Sequence, residues 1–338
     1  MADDNAAPIL VIGAGSWGTA LAILLAGNGN PVLLWGNEPG QLAELARRRL
    51  NDAYLPGIPF PDRLEIAPDS AAALARARDI LIAAPSAAFR SVIQMVKRHR
   101  PEDARLAWGT KGLEPGRGRL LHELIGDEYP ARTPLAVISG PTFAAEVARG
   151  LPTAVTVAAN DAGFAASLSR RLHNEFFRVY TSTDIVGVEI GGAVKNVLAI
   201  AAGIADGLGF GANTRAALVT RGLTEIMRLG VALGGRRETF MGLAGLGDLV
   251  LTCTDDQSRN RRLGLALGRG LTLAQAGAEI GQVIEGVETA REVAVLARAQ
   301  GIDMPIVAEV YRVLHEGKDP HAAVKALFGR EQKAEDFA

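Results

Sequence analysis

The sequence is poor in cysteine and in net charge. Cys253 is the only cysteine among 338 residues, which excludes an intramolecular disulfide and a cysteine-based zinc site and favours a reducing compartment. The 36 lysines and arginines nearly balance 37 acidic residues, leaving a formal net charge of −1. A chain this neutral lacks the basic footprint of proteins that bind nucleic acid or anionic membranes. We therefore expect local groups to hold any anionic ligand.

Metal ligands and membrane segments are also missing from the sequence pattern. The five histidines, among them His99, His122 and His173, have no metal-ligand spacing, so we predict no metal site. The run from Pro8 to Asn37 is uncharged and exceeds the roughly 20 residues that cross a bilayer, but glycines divide it into strand, helix and strand. The preceding residues carry Asp3 and Asp4 rather than the positive region of a signal peptide. We expect a soluble cytoplasmic protein without a membrane span.

Strands alternate with helices over the first half of the chain. The apolar runs Ile9–Ile12 and Val32–Trp35 flank a predicted helix over Ser16–Ala26, and this alternation continues to about Thr181. Beyond that point, every long periodic segment indicates helix. The pattern predicts an α/β, Rossmann-type, doubly wound N-terminal sheet over residues 1–190 and an all-α C-terminal domain over residues 191–338.

Glycine is in excess, with 39 residues in a chain whose usual share would be roughly 7%. Twenty of them lie between Gly187 and Gly286. They follow no collagen-like period, so we predict that they allow close helix packing and close backbone approach in the C-terminal domain.

Three other glycines form a phosphate-binding pattern. Gly13, Gly15 and Gly18 fit G-x-G-x-x-G, and the motif follows an apolar strand and opens a helix. In that context the glycines permit a tight turn, approach of a pyrophosphate to the backbone, and close helix–strand packing. A glycine turn in an ordinary α/β core is the alternative. We favour a dinucleotide site.

The end of the second strand bears on the choice of cofactor. NAD-binding folds usually place an acidic residue there, whereas Trp35 is followed by Gly36 and Asn37. Glu38 could compensate, and residues 47–49 are arginines typical of a solvated helix face. NADP(H) is therefore favoured, and NAD(H) remains possible.

Two loops follow predicted strands at the edge where open α/β sheets bind ligands. The first contains Lys111, which could also be an ordinary exposed lysine. The second is Ser139-Gly140-Pro141-Thr142, whose backbone N–H groups could face substrate or nicotinamide.

An apolar segment from Ile185 to Ala205 carries Lys195. Burial disfavours the ammonium form and lowers a lysine pKa, which suits proton exchange with a hydroxyl or carbonyl oxygen near neutral pH. The alternative is a lysine that packs its stem and extends its charged end to water.

Further polar residues follow in the C-terminal half. Asp248 lies in a glycine-rich turn and could orient Lys195, or could simply cap the turn. Ser258, Arg259 and Asn260 supply hydroxyl, guanidinium and amide groups suited to a phosphate dianion, although a solvated basic face is the other interpretation.

Together these motifs resemble the bacterial NAD(P)-dependent glycerol-3-phosphate dehydrogenases, over nearly the whole chain. The resemblance rests on GAGSWGTA, WGTKGLE, SGPTFA, GGAVKNV, GLGDLVLTCT and SRNRR. It implies a Rossmann-type domain, a helical domain, a homodimer, and reversible reduction of dihydroxyacetone phosphate to sn-glycerol 3-phosphate for phospholipid synthesis.

The resemblance also implies roles for individual residues. Lys195 would transfer the proton, and Lys111 and Asp248 would complete the catalytic group. Substrate contacts would fall on Lys111, Gly140, Thr142, Lys195, Asp248, Ser258, Arg259 and Asn260. By the resemblance, cofactor contacts would fall on Ser16, Trp17, Lys111, Ala144, Arg259, Val283 and Glu285. The glycine motif and the end of the second strand add Gly13, Gly15, Gly18 and Asn37.

Two other functions are compatible with the pattern. A dehydrogenase of the 6-phosphogluconate or β-hydroxyacid type resembles the chain in its two domains and its buried lysine, but its substrates bear a carboxylate. A non-enzymatic dinucleotide sensor could share the fold, since fold alone does not determine function.

Overall fold

A computed structural model describes residues 7–100 and 104–331, so Asp3 and Asp4 lie outside the described residues. The strands are β1 (Ile9–Ile12), β2 (Val32–Trp35), β3 (Leu50–Asn51), β4 (Leu55–Pro59), β5 (Leu64–Ile66), β6 (Asp79–Ile82), β7 (Arg105–Trp108), β8 (Leu135–Ser139), β9 (Thr153–Ala159) and β10 (Phe177–Ser182). The helices are α1 (Ser16–Gly27), α2 (Pro39–Arg48), α3 (Ser70–Arg76), α4 (Ser86–His99), α5 (Leu121–Glu128), α6 (Ala144–Ala148), α7 (Ala162–Leu172), α8 (Ile185–Gly207), α9 (Ala212–Ala232), α10 (Arg237–Met241), α11 (Asp248–Thr254), α12 (Arg259–Gly268), α13 (Leu273–Ile280), α14 (Glu285–Ala299), α15 (Pro305–His315) and α16 (Pro320–Phe328).

The main sheet has eight strands in the order β10-β9-β8-β7-β6-β1-β2-β5. All neighbours are parallel except β8 and β9, which pair antiparallel. Strand β1 is central and fully buried, with Ile9 opposite Val32 on one side and Asp79 on the other. The predicted Rossmann-type doubly wound sheet is confirmed. Because β1, β2, β6, β7 and β8 are parallel, their carboxyl ends lie at one edge of the sheet.

The uncharged run Pro8–Asn37 folds as predicted into a strand, a helix and a strand. The sequence pattern did not predict β3, β4 and β5, which lie between Leu50 and Ile66. They are two to five residues long, and prolines interrupt this stretch. The pairing of β5 with β2 therefore depends on tertiary packing rather than on local periodicity.

The described chain divides into two compact units. The first unit holds the residues up to Lys111 together with Leu121–Ile185, and the second holds Gly112–Leu120 and the residues from Val186. The division falls at the start of α8 instead of at residue 190, because this helix is continuous from Ile185. The segment Gly112–Leu120 was not assigned to the helical domain from sequence. In the structure Glu292 on α14 accepts a hydrogen bond from the Gly116 backbone N–H at 2.8 Å.

From Val186 onward every described regular element is helical, as predicted. Helix α8 is long and apolar enough to cross a membrane, yet 89% of its most apolar window is buried inside the protein. This burial is what a core helix shows, because its apolar surface is already covered by protein.

Glycines bring α8 and α12 into close contact. Gly203 and Gly207 on α8 face Gly264 and Gly268 on α12, and a Cβ added to Gly264 would lie 2.9 Å from the Gly203 Cα. Each added Cβ would also run into a backbone carbonyl of the other helix. The predicted use of the glycine excess for close helix packing is therefore seen at this crossing.

We expect Gly264→Ala to destabilise the second unit by roughly 1–3 kcal/mol, because its new Cβ has to displace the Ile200 carbonyl. Gly277→Ala is the matched control, since Gly277 also lies in a helix and its Cβ would have no atom within 4 Å. The control should gain up to about 1 kcal/mol from helix propensity. Thermal unfolding of both variants measures the difference, and equal melting temperatures would contradict the packing argument.

Candidate functional site

The glycine loop after β1 has the geometry that a dinucleotide site needs. Gly13 has φ of 121°, and a Cβ there would lie 2.7 Å from the Ala83 carbonyl oxygen. A Cβ on Gly18 would clash with the Gly13 carbonyl oxygen. These two positions accept only glycine because the loop, the first turn of α1 and the end of β6 are packed against one another.

The N-terminus of α1 is open to a ligand. Gly15 is its N-cap residue, makes no side-chain cap, and a Cβ there would meet no atom within 4 Å. Ser16 begins the helix, so free N–H groups and the positive end of the helix dipole point toward this space. The arrangement fits a pyrophosphate, as the motif predicts.

Trp17 lies in the first turn of α1 and packs against the loop after β7. Its Nε1 is buried and has no hydrogen-bond partner among the described residues, and a Cβ on Gly109 would lie 2.5 Å from this nitrogen. A buried donor left without a partner is uncommon in proteins. The close approach to Gly109 places Trp17 against the loop that follows β7.

Two amides support the glycine loop, and the sequence analysis missed both. Gln41 Nε2 and Asn51 Nδ2 donate to the Ala14 carbonyl oxygen at 2.9 and 3.0 Å, and Asn51 also donates to Thr19 Oγ1 at 2.8 Å. No sequence motif identifies these two residues, because their contact with the loop exists only in the folded protein. Asn51, for example, lies on the short strand β3.

The end of β2 presents Asn37 and Glu38, both exposed. The neighbouring arginines are engaged elsewhere: Arg48 pairs with Glu44 and Asp52, and Arg49 donates to the Pro61 carbonyl at 2.6 Å. The strand end therefore offers an amide and a carboxylate at successive positions, while Arg48 and Arg49 bind other groups.

Lys111 and Thr142 meet at one carbonyl. Lys111 Nζ donates to the Gly140 carbonyl oxygen at 3.2 Å, and Thr142 Oγ1 donates to the same oxygen at 3.1 Å. These residues follow β7 and β8, which are adjacent parallel strands. Ala144 begins the short helix α6 immediately after this loop. The structure thus brings together Lys111, Gly140 and Thr142.

In the second unit, Lys195 is buried as the apolar helix predicts. Its side chain is 8% exposed, and its Nζ lies 2.5 Å from Asp248 Oδ1 and 2.9 Å from Thr252 Oγ1. Thr252 Oγ1 donates to the Asp248 carbonyl oxygen at 2.6 Å, so its hydroxyl proton is committed and its oxygen faces the lysine. Thr252 lies four residues after Asp248 on α11, and this helical spacing is the sequence signal for its contact with the same lysine.

A tight glycine contact positions this pair. A π-helical turn over Leu243–Gly247 leads into α11, and a Cβ on Gly191 of α8 would clash with the Ala244 carbonyl oxygen. Gly191 and Ala244 each lie four residues, about one helical turn, before Lys195 and Asp248. The close approach therefore places the lysine and the carboxylate side by side.

Ser258, Arg259 and Asn260 form the start of α12. Ser258 is the N-cap residue and accepts a hydrogen bond from the Arg261 N–H at 3.2 Å. Asn260 Nδ2 donates to Asn196 Oδ1 at 3.0 Å, and Asn260 Oδ1 accepts from the Gly286 N–H at 2.9 Å. This network connects α12 to the residue after Lys195 and to the start of α14.

Some of the other polar groups near the start of α12 have hydrogen-bond or ion-pair partners within the protein, and others do not. Arg259 Nη1 donates to the Val283 carbonyl at 2.8 Å, and Glu285 begins α14 two residues later. The buried Asn196 Nδ2 has no hydrogen-bond partner in the described chain. Arg261 pairs with Asp206 and Asp256 and is therefore a structural residue. Free donors for an anion come from Arg259, Asn196 and the N-terminus of α12.

Cys253 is not placed for chemistry. It is buried beside the Lys195 cluster, and this burial raises the pKa of its thiol to about 12. A protonated buried thiol is inert as a nucleophile. No group of three or more His, Cys, Asp or Glu side chains within residues 7–100 and 104–331 is placed to hold a metal ion.

Comparison with known families gives two matches along the chain. The family described as NAD-dependent glycerol-3-phosphate dehydrogenase N-terminus matches residues 8–165, and the corresponding C-terminus family matches residues 184–325. Together they include the glycine loop, Lys111, Lys195, Asp248 and Arg259.

Individual relatives agree over their full lengths. A glycerol-3-phosphate dehydrogenase [NAD(P)+] of Nitrosococcus oceani is 57% identical, covering 96% of this chain and 95% of the relative. One of Tolumonas auensis is 54% identical, covering 98% and 100%. The crystal structure of glycerol-3-phosphate dehydrogenase from Coxiella burnetii has a TM-score of 0.93 at 52% identity, covering 96% and 99%.

More distant structures share the fold alone. D-mandelate dehydrogenase with NADH is 13% identical with a TM-score of 0.60, covering 92% of this chain and 98% of that one. At this identity the likeness carries no conclusion about substrate.

Proposed function

The chain belongs to the NAD-dependent glycerol-3-phosphate dehydrogenase family, and from this premise we propose that it catalyses the reversible, NAD(P)H-dependent reduction of dihydroxyacetone phosphate to sn-glycerol 3-phosphate. The observation that carries the proposal is the buried Lys195 Nζ held by Asp248 and Thr252. A buried ammonium with fixed partners is suited to exchange a proton with an oxygen whose charge changes during reaction.

The first unit would bind the cofactor. Bound NAD(P)H supplies the hydride that reduces the ketone carbon. Gly13, Gly15 and Gly18 allow the pyrophosphate to approach the backbone, and the N–H groups of Ser16 and Trp17 at the start of α1 attract its charge. Ala144, Arg259, Val283 and Glu285 remain proposed contacts on the family resemblance.

Lys195 would donate the proton to the carbonyl oxygen during reduction and accept it back during oxidation. Asp248 stabilises the ammonium, and Thr252 offers only an acceptor to it. On the family resemblance, Lys111 would stabilise negative charge that develops on the substrate oxygen.

The phosphate of the substrate would be held at the start of α12. Arg259 supplies a guanidinium, Asn260 the second N–H of the amide nitrogen that also donates to Asn196, and Ser258 the cap at a helix N-terminus, which favours anions. Binding energy from this remote group orients the carbonyl for reaction.

Several finer features belong to the same proposal. We propose NADP(H) as the preferred cofactor, because Asn37 at the end of β2 tolerates a 2′-phosphate, whereas Glu38 at the next position keeps NAD(H) usable. A cytoplasmic location, a homodimer and a role in glycerophospholipid synthesis follow from the family resemblance.

Cofactor oxidation tests the function. We expect the purified protein to oxidise NADPH when dihydroxyacetone phosphate is added, with a lower KM for NADPH than for NADH. A strong preference for NADH would overturn the cofactor proposal alone. Turnover with a keto acid but not with the ketone phosphate would favour the hydroxyacid type of dehydrogenase. Cofactor binding without turnover on any ketone phosphate would favour a sensor.

Arg259→Ala should raise the KM for dihydroxyacetone phosphate more than it lowers kcat, because it removes a charged contact to the phosphate. Loss of a charge-assisted hydrogen bond typically amounts to about 1.5–3 kcal/mol, or roughly 10- to 150-fold. Arg262→Ala, on the same helix and exposed, is the matched control and should leave KM unchanged. Equal losses for dihydroxyacetone with and without its phosphate would contradict the assignment.

A further inference from the structure

A cavity of about 430 Å³ lies entirely within the second unit, apart from every residue assigned to the reaction. Its lining comes from α8, α9, α15 and α16. The α8 contribution is Ala201, Ile204 and Ala205. The volume falls within the roughly 300–1,000 Å³ of known small-molecule sites.

One face of α9 forms a long wall of the cavity. Its lining residues are Thr214, Ala217, Leu218, Arg221, Thr224, Glu225 and Arg228, which recur at the spacing of a single helical face. Opposite them, Ile306, Val310 and Val313 of α15 and Val324, Leu327 and Phe328 of α16 supply apolar surface. Phe328 is 74% exposed, so the apolar lining continues to the opening.

The acidic groups of the cavity are largely engaged. Glu225 accepts hydrogen bonds from the backbone N–H groups of Ile306 and Val307, at 2.7 and 3.1 Å. Burial raises the pKa of its carboxyl to about 7, so it carries only part of a charge near neutral pH. Glu309 is paired with both Arg312 and Lys318. Glu331, exposed at the outer end, is the remaining acid.

The arginines of the cavity have fewer hydrogen bonds and ion pairs than its acidic residues. Arg221 and Arg228 lie two helical turns apart on the cavity face of α9. Within the described chain neither makes a hydrogen bond or an ion pair, and the charge of Arg228 acts on the partly charged Glu225. Arg330 at the opening pairs with Asp303. The cavity thus combines apolar walls with two guanidinium groups available to an anion.

We propose that this cavity binds a small amphipathic anion, with its apolar chain against α8, α15 and α16 and its anionic group at Arg221 and Arg228. Charge complementarity selects the anion, and the apolar lining selects the chain. The site is separate from the Lys195 cluster and the glycine loop, so it does not depend on which substrate the enzyme reduces.

Decanoate is the probe, and isothermal titration with the purified full-length protein is the measurement. We expect saturable binding at one site per chain. The double variant Arg221→Gln/Arg228→Gln should weaken it at least about 10-fold, since two charged contacts are lost. Ala217→Trp, which fills the cavity from a partly exposed helix face, should weaken it similarly. Arg63→Gln, an exposed arginine in the first unit, should have no effect.

Decyltrimethylammonium carries the same chain with the opposite charge and should bind at least about 10-fold more weakly. Equal binding of both probes, no binding of decanoate, or binding unchanged in both cavity variants would overturn the proposal. Circular dichroism and a thermal melt establish that each variant is folded. If Ala217→Trp instead converts a dimer to a monomer, a second copy of the chain covers the cavity and the proposal is overturned. Turnover of dihydroxyacetone phosphate, assayed separately, tests the proposed function independently.

Discussion

Lys195→Ala should lower kcat at least about 100-fold, because it removes the group that exchanges a proton with the substrate oxygen. Binding of NADPH should be nearly unchanged, since the glycine loop of the first unit is untouched. Steady-state kinetics with dihydroxyacetone phosphate and fluorescence titration with NADPH measure the two effects separately. A variant with near-normal turnover would overturn the role of Lys195.

A stability control is needed because the lysine is buried. Removing it leaves Asp248, which is 1% exposed, as an uncompensated buried charge, and breaking such a pair typically destabilises a protein by about 3–5 kcal/mol. The double variant Lys195→Met/Asp248→Asn removes both charges at similar volume and should recover much of that stability. Its kcat should remain as low as that of Lys195→Ala. Recovery of turnover along with stability would mean that the lysine is only structural.

Glu225 should make the stability of the protein fall as pH rises from about 5 to 8. Burial raises the pKa of its carboxyl from 4.5 to about 7, and the hydrogen bonds from Ile306 and Val307 oppose this shift only in part. Between these two values the unfolded chain has released the proton that the folded chain still holds, so folding becomes less favourable as pH increases. The stabilisation is complete below about pH 4.5 and lost above about pH 7.

The expected size of this loss is about 3 kcal/mol, since the pKa rises from 4.5 to about 7 and one unit of pKa corresponds to about 1.36 kcal/mol. Glu225→Gln removes the titration and keeps one acceptor for the α15 N-terminus. Its free energy of unfolding, measured by denaturant titration, should fall less between pH 5 and 8 than that of the unchanged protein. Parallel pH profiles for the two proteins would show that Glu225 does not titrate in this range.

Elements with a strong local sequence pattern were predicted correctly from the sequence, and elements without one were missed. The strand, glycine loop and helix from Ile9 to Gly27 were predicted closely, because a buried strand and G-x-G-x-x-G each leave a local signature. The burial of Lys195 was also predictable, since its neighbours along α8 are nearly all apolar. Strands β3 to β5 were missed because a few residues broken by prolines carry no period.

The supporting residues of the site were the hardest to predict. Gln41 and Asn51 hold the Ala14 carbonyl from positions 27 and 37 residues away, and no motif connects them with the loop. Asn260 contacts Asn196 across 64 residues of sequence. Such contacts depend on which separate loops, strands and helices the tertiary structure brings together.

The sequence by itself determined the order of strands and helices apart from β3 to β5, the glycine loop, the neutral charge and the kinds of side chain available for chemistry. These features are set by periodicity and by the conformational limits of individual residues. Only the tertiary structure decided that Asp248 and Thr252 hold Lys195, that Arg261 is committed to Asp206 and Asp256, and that α9, α15 and α16 leave a cavity with two available arginines. The physical reason is that hydrogen bonds and packing join residues by distance in space, and glycine contacts such as Gly191 with Ala244 set those distances far from where the sequence places the partners.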